Sequence, residues 1–146
     1  MRKLNLIMQP KGSKLCGQHA IAMATGITIE ESIKLFGHKN SSYYRDYVRV
    51  LTELGYSFNG KKSVDNRKKY TLPKLALVRL QKVGRRTGHL ITYCDGKFYD
   101  SCRGVFNSKE ELMSSYNDNI RGRWRIDWYM EILGKDSDTK AIACGD

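Results

Sequence analysis

Asp95-Gly96 stands between two runs of alternating character, His89 to Cys94 and Lys97 to Ser101. A two-residue hairpin that matches the twist of its strands needs positive φ at both central residues. Glycine adopts that conformation freely and aspartate tolerates it. The dipeptide therefore predicts an antiparallel hairpin and sets its register, with Cys94 opposite Lys97 and Ile91 opposite Asp100. Side chains alternate along a strand, so His89 shares the face of Ile91, and Asp100 becomes its diagonal neighbour. The same register puts Cys102 across from His89 and Cys94 on the other face, which argues against a disulfide between them.

Other segments fall into place around this hairpin. Cys16 to Thr25 carries a run of alanines and stops at Gly26, a helix with a glycine C-cap. Thr28 with Glu31 forms a capping box for a helix that ends at Gly37. Ser42 is placed to cap a third, with Tyr44, Tyr47, Val48, Leu51 and Leu54 as its apolar stripe and Gly55 as its stop. Leu75 to Val83 reads as a buried strand, Ser108 with Glu111 opens one more helix ending near Tyr116, and Arg123 to Leu133 alternates as an antiparallel strand does. Trp124 and Trp128, at even spacing, are expected on one face of that strand as core. The fold class is α+β: N-terminal helices packed on a C-terminal antiparallel sheet, one domain over 1–134 and a polar tail over 135–146.

The chain of 146 residues is long enough to bury a core without disulfides or a metal. Its 26 Lys and Arg against 15 Asp and Glu give a formal charge of +11, which favours acidic partners. Nine of those eleven net charges fall in residues 61–87, where Lys61, Lys62, Arg67, Lys68, Lys69, Lys74, Arg79, Lys82, Arg85 and Arg86 oppose Asp65 alone. Such a run reads either as a solvated loop flanking a site or as a binding face. The four cysteines, 16, 94, 102 and 144, show neither a CxxC pair nor regular spacing. The apolar stretch Leu4 to Met8 is too short for a signal peptide, and no later segment is long enough for a membrane span. A reducing, cytoplasmic setting with free thiols is the expectation.

Chemistry concentrates at two places. Cys16 opens an apolar helix, where the positive end of the helix dipole favours thiolate, and Gly17 beside it permits close approach. Gln9, in the preceding Pro/Gly-bearing loop, is placed to offer an amide donor beside the helix end and so to form an oxyanion hole with the Cys16 N–H. A buried core cysteine would look the same in isolation. His89 and Asp100 tip the balance, because a thiolate nucleophile needs an oriented base and the hairpin supplies one.

Gln9, Cys16-Gly17 before an apolar helix, Gly88-His89 leading a strand and Asp100 on its partner together resemble a papain-like cysteine peptidase. Within that family the protein is most similar to the small peptidase domains that trim double-glycine leaders in bacteriocin processing. The resemblance implies a papain-like fold, Cys16 as nucleophile, His89 as base and acid, Asp100 as orienting carboxylate and Gln9 in the oxyanion hole, with a peptide or isopeptide bond as substrate and no cofactor. The Gln9-to-Cys16 spacing is longer than is usual for the family, and Leu15 stands where those peptidases often carry a polar residue.

The remaining candidates are fewer. His19, one turn beyond Cys16, resembles half of a metal site with no second half in the sequence, so no metal is expected. His38, after Gly37, is expected in solvent, and Cys102 is expected either to line the site or, better, to pack in the core. A second class of function is a non-catalytic basic module binding nucleic acid through Lys61 to Arg86, although no recognition motif accompanies the charge.

Overall fold

The computed structural model of the protein describes residues 4–117 and 123–135. Three helices come first, α1 (Cys16–Thr25), α2 (Ile29–Phe36) and α3 (Tyr44–Glu53). Strands β1 (Tyr56–Phe58), β2 (Lys62–Ser63), β3 (Leu75–Lys82), β4 (Gly88–Cys94), β5 (Lys97–Asp100) and β6 (Gly104–Phe106) follow. Helix α4 (Lys109–Tyr116) and the long strand β7 (Trp124–Lys135) complete the described residues. The sheet is antiparallel, in the order β1-β7-β3-β4-β5-β6, with β2 pairing beside it on β7. The fold class is α+β, as expected.

The helix ends obey their local chemistry. Thr28 Oγ1 accepts from the Glu31 N–H at 3.1 Å, and Gly26 and Gly37 end their helices with φ of 80°. The third helix departs from expectation. Its N-cap is Tyr43, whose N–H donates to Asp46 Oδ2 at 2.9 Å, one residue later than the Ser42 cap read from the sequence. Ser42 is buried and lies 3.1 Å from the Tyr47 hydroxyl instead, because the helix α1 backbone passes directly over it.

Strand β3 explains its own composition. Leu75 and Leu77 face a core shared with α1, α2 and α3, whereas Ala76, Val78 and Leu80 face a second core under α4. With both faces covered, the strand must be apolar at consecutive positions, as the sequence is. The helices therefore do not all lie on one side, and α4 closes the opposite face.

Strand β7 corrects the reading of the tryptophans. Arg79 pairs with Trp128 and Leu80 with Ile126, so Asp127 is an extra residue in the ladder. One inserted residue reverses the alternation. Trp128 consequently joins the core beneath α1 to α3, and Trp124 packs on the other core. Strands β1, β2 and β6 are too short to show an alternation in sequence. The strand β7 continues through Lys135, the first residue of the expected polar tail; 136–146, with Cys144, lie outside the described residues.

Two contacts fix α1 against the sheet and the third helix. Thr92, buried on β4, donates to the Ala20 carbonyl at 2.8 Å. At Gly17 an added Cβ would fall 1.8 Å from Ser42 Oγ and 2.8 Å from Tyr47 Cε1. The close approach anticipated at Gly17 is thus made by Ser42 and Tyr47. Gly17→Ala should lower the unfolding free energy by about 1–3 kcal/mol, the usual cost of overpacking. Adding Ser42→Ala to that variant should recover part of it, as read by urea denaturation.

Candidate active site

The hairpin forms in the expected register, with Cys94 opposite Lys97 and Thr92 opposite Tyr99. Asp95 has φ of 48° and Gly96 of 88°, the two positive values that the turn requires. His89 then reaches across the diagonal, and its Nε2 lies 2.8 Å from Asp100 Oδ1. Asp100 is fully buried, and each of its oxygens is occupied. Oδ1 also accepts from the Cys102 N–H at 2.8 Å, and Oδ2 accepts from the Tyr116 hydroxyl. A buried carboxylate is tolerated only when its lone pairs are satisfied in this way.

Cys16 approaches the imidazole from the other side. Cys16, His89 and Leu90 line one cleft, and with Nε2 given to Asp100 the second ring nitrogen of His89 is the one left for the thiol. Strand β5 has ended by this point, which leaves that stretch of β4 open to α1. Among the described residues, none caps α1 with its side chain, so the positive end of the helix faces the thiol unopposed.

The electrostatics follow from these contacts. Burial pushes the Cys16 thiol up, but the His89 hydrogen bond and charge, the Leu90 N–H and the Arg79 guanidinium outweigh it, and the pKa is lowered. Burial works against charge on His89 as well, yet the bonds to Asp100 and Cys16 raise it to about 9. For Asp100, burial is opposed by the His89 bond and charge, the Tyr116 hydroxyl and the Cys102 N–H, which hold the carboxyl below its ordinary value. Both shifts run toward a thiolate beside an imidazolium backed by a carboxylate, and a thiolate so placed can attack an electrophilic carbon.

Gln9 is held beside this group. Its N–H donates to the Ser101 carbonyl at 2.8 Å, and its Oε1 accepts from Ser101 Oγ at 2.5 Å. The loop before Cys16 is thereby tied to the residue after Asp100. The Gln9 amide nitrogen donates to Ser13 O at 3.1 Å and Ser13 Oγ at 3.0 Å, so both of its hydrogens stay within the loop.

Other candidates are relocated. His19 is buried with Nδ1 2.9 Å from the Leu15 carbonyl, which accounts for its ring as a core group. His38 is half-buried beside Asp46 rather than in solvent. Cys102 is exposed at the site instead of packed in the core, and burial of its thiol together with the Asp100 charge pushes its pKa to about 11. Cys94 is disulfide-bonded, so the expectation of free thiols fails there, while Cys16 and Cys102 are free. His89, Asp100 and Cys102 place ligand atoms within 4.8 Å of one another, but the histidine and aspartate already use theirs on each other.

The basic run is not one loop. Lys61 lies over the rings of Tyr44 and Trp128, and Arg67 pairs with Asp65. Arg79 is carried into a cleft of about 240 Å³ that Cys16, Ser42, Tyr43, Arg86 and His89 also line. Tyr116, Arg79 and Ser101 went unnoticed as site residues in the sequence. Their separations from Cys16 in sequence give no local signal.

Among the described residues, no helix is long and apolar enough to cross a membrane. No family model matches the protein, and comparison with curated proteins finds no significant similarity.

Two outcomes test this electrostatic arrangement. At pH 7, limiting iodoacetamide should label Cys16 well before Cys102, despite the greater exposure of Cys102, as read by peptide mass mapping. The second outcome is a pH dependence. Because His89 is raised from 6.5 to about 9, its contribution to stability is complete below 6.5 and is lost as pH rises through about 9. Asp100 is lowered, so its contribution is present above 3.8 and lost as pH falls through the depressed value. Asp100→Asn should flatten the alkaline limb of a urea midpoint measured against pH.

Proposed function

We propose that this protein is a cysteine-dependent hydrolase with a papain-like arrangement, most simply a peptidase that cleaves a peptide or isopeptide bond. The observation that carries the reading is the gathering of Cys16 with His89 on one cleft and the His89–Asp100 bond behind it, assembled from a helix start and two adjacent strands. The order of elements and the residue types agree with the resemblance to the leader-trimming peptidases.

In this reading the Cys16 thiolate attacks the substrate carbonyl carbon, a C–S bond forms, and the carbonyl oxygen becomes an oxyanion. The N–H groups at the start of α1, which carry no side-chain cap, serve as donors for it. Gln9 joins them by exchanging one of its bonds to Ser13. The protonated His89 then gives its proton to the departing amine as the C–N bond breaks, leaving a thioester on Cys16. Water enters, His89 takes its proton, the C–S bond breaks, and the carboxylic acid product departs with the thiolate–imidazolium pair restored. Asp100 holds the ring in one orientation and stabilises its charge throughout.

Hydrolysis of a peptide library, read by mass spectrometry, tests the assignment. Cys16→Ala should abolish cleavage, and His89→Ala should lower turnover by about 10²–10⁴-fold, the usual worth of a positioned acid–base group. Asp100→Asn should retain more activity than His89→Ala, because Tyr116 and the Cys102 N–H still hold the side chain in place. Cleavage that survives Cys16→Ala would overturn the reading. The same variant, used as a trap in a pulldown, should retain the natural substrate.

A further inference from the structure

The cleft beside Cys16 carries a cation that the thiol chemistry leaves largely unused. Arg79, half-buried on β3, lines the cleft with Cys16 and His89, and Arg86 lines it from the β3–β4 turn. Among the described residues, no carboxylate pairs with Arg79, and its Nε is buried without a hydrogen-bond partner. Its Nη2 donates to Gln81 Oε1 at 3.2 Å. A guanidinium cannot shed its proton to escape this, so an unpaired buried N–H remains a standing cost.

The surroundings are built to hold that group in place. Gln81 uses its other end on the turn, donating to the Thr87 carbonyl at 3.0 Å and to the Arg85 carbonyl. One side chain thus sets both Arg79 and the turn that bears Arg86. Gly88 leaves room for the guanidinium plane: an added Cβ would stand 2.0 Å from Nη2 and 2.1 Å from Nε of Arg79. Toward Cys16, Arg79 acts through its charge.

We propose that Arg79, with Arg86 at the same cleft, binds a carboxylate of the substrate next to the bond that Cys16 attacks, which makes the substrate class a peptide that presents a carboxylate there. The proposal deepens the hydrolase reading and rests on it for the reacting bond. A carboxylate fits the planar fork of arginine and balances a charge that no carboxylate among the described residues offsets. It would come either from an Asp or Glu side chain or from the free carboxy terminus of a peptide.

Two small reagents test the anion site without a known substrate. Iodoacetate and iodoacetamide alkylate the same thiol and differ in carrying a carboxylate or an amide. In Arg79→Gln, the rate at Cys16 with iodoacetate should fall about tenfold more than the rate with iodoacetamide, as expected for loss of a charge-assisted contact. Gly88→Ala should act in the same direction by displacing the guanidinium, and Arg79→Lys should restore part of the preference. A parallel fall with both reagents, or no change in their ratio, would overturn the proposal. If iodoacetamide fails to prefer Cys16 over Cys102, the hydrolase reading falls, and the reagent ratio at Cys16 still decides on the anion site. Peptides then separate the sources by protecting Cys16 from iodoacetamide. Protection by a glutamate-bearing peptide with an amidated end assigns a side-chain carboxylate, and protection by a neutral peptide with a free end assigns a terminal one. Equal protection by a neutral, amidated peptide overturns both.

Discussion

The site depends on one buried carboxylate. Asp100 has no solvent to share its charge, so it must be neutralised and hydrogen-bonded from within. His89, the Cys102 N–H and the Tyr116 hydroxyl do this, and each comes from a different part of the sequence. Satisfying the carboxylate therefore orders the end of β5, the start of β4 and the end of α4 together. The His89 ring, once fixed by Asp100, lines one cleft with Cys16. Losing any of these partners leaves a buried charge short of a bond, which is why the arrangement is specific as well as stable.

The two cores have separate duties. The core beneath α1 to α3 sets the position of the helix that carries Cys16, through Thr92 and through the close pass of Gly17 over Ser42 and Tyr47. The core under α4 brings Tyr116 to Asp100. Strand β3 belongs to both and is apolar on both faces until Arg79, whose side chain lines the cleft while Leu80 after it stays in the core under α4. The Asp127 bulge in β7 lets one strand serve both cores with its large aromatic residues.

Positive charge is used locally. Lys61 lies over aromatic rings, and Arg67 pairs with Asp65. Arg79 and Arg86 stand apart because the cleft gathers them beside the thiol. A high net charge steers acidic partners from a distance, whereas a fixed guanidinium selects among them on contact.

Local rules in the sequence determined the helix stops at Gly26 and Gly37, the Thr28–Glu31 cap, and above all the Asp95-Gly96 turn. That turn allows a single strand register, so the meeting of His89 and Asp100 could be derived from spacing alone. The cap at Tyr43 and the face of Trp124 could not, since both answer to neighbours remote in sequence: α1 pressing on Ser42, and β3 imposing a bulge at Asp127. Tyr116 and Arg79 also escaped the sequence, because a side chain becomes part of a site only when packing carries it there. Short-range geometry is written in backbone preference and is legible residue by residue. Which distant groups share a cleft is decided by how two cores close on one sheet.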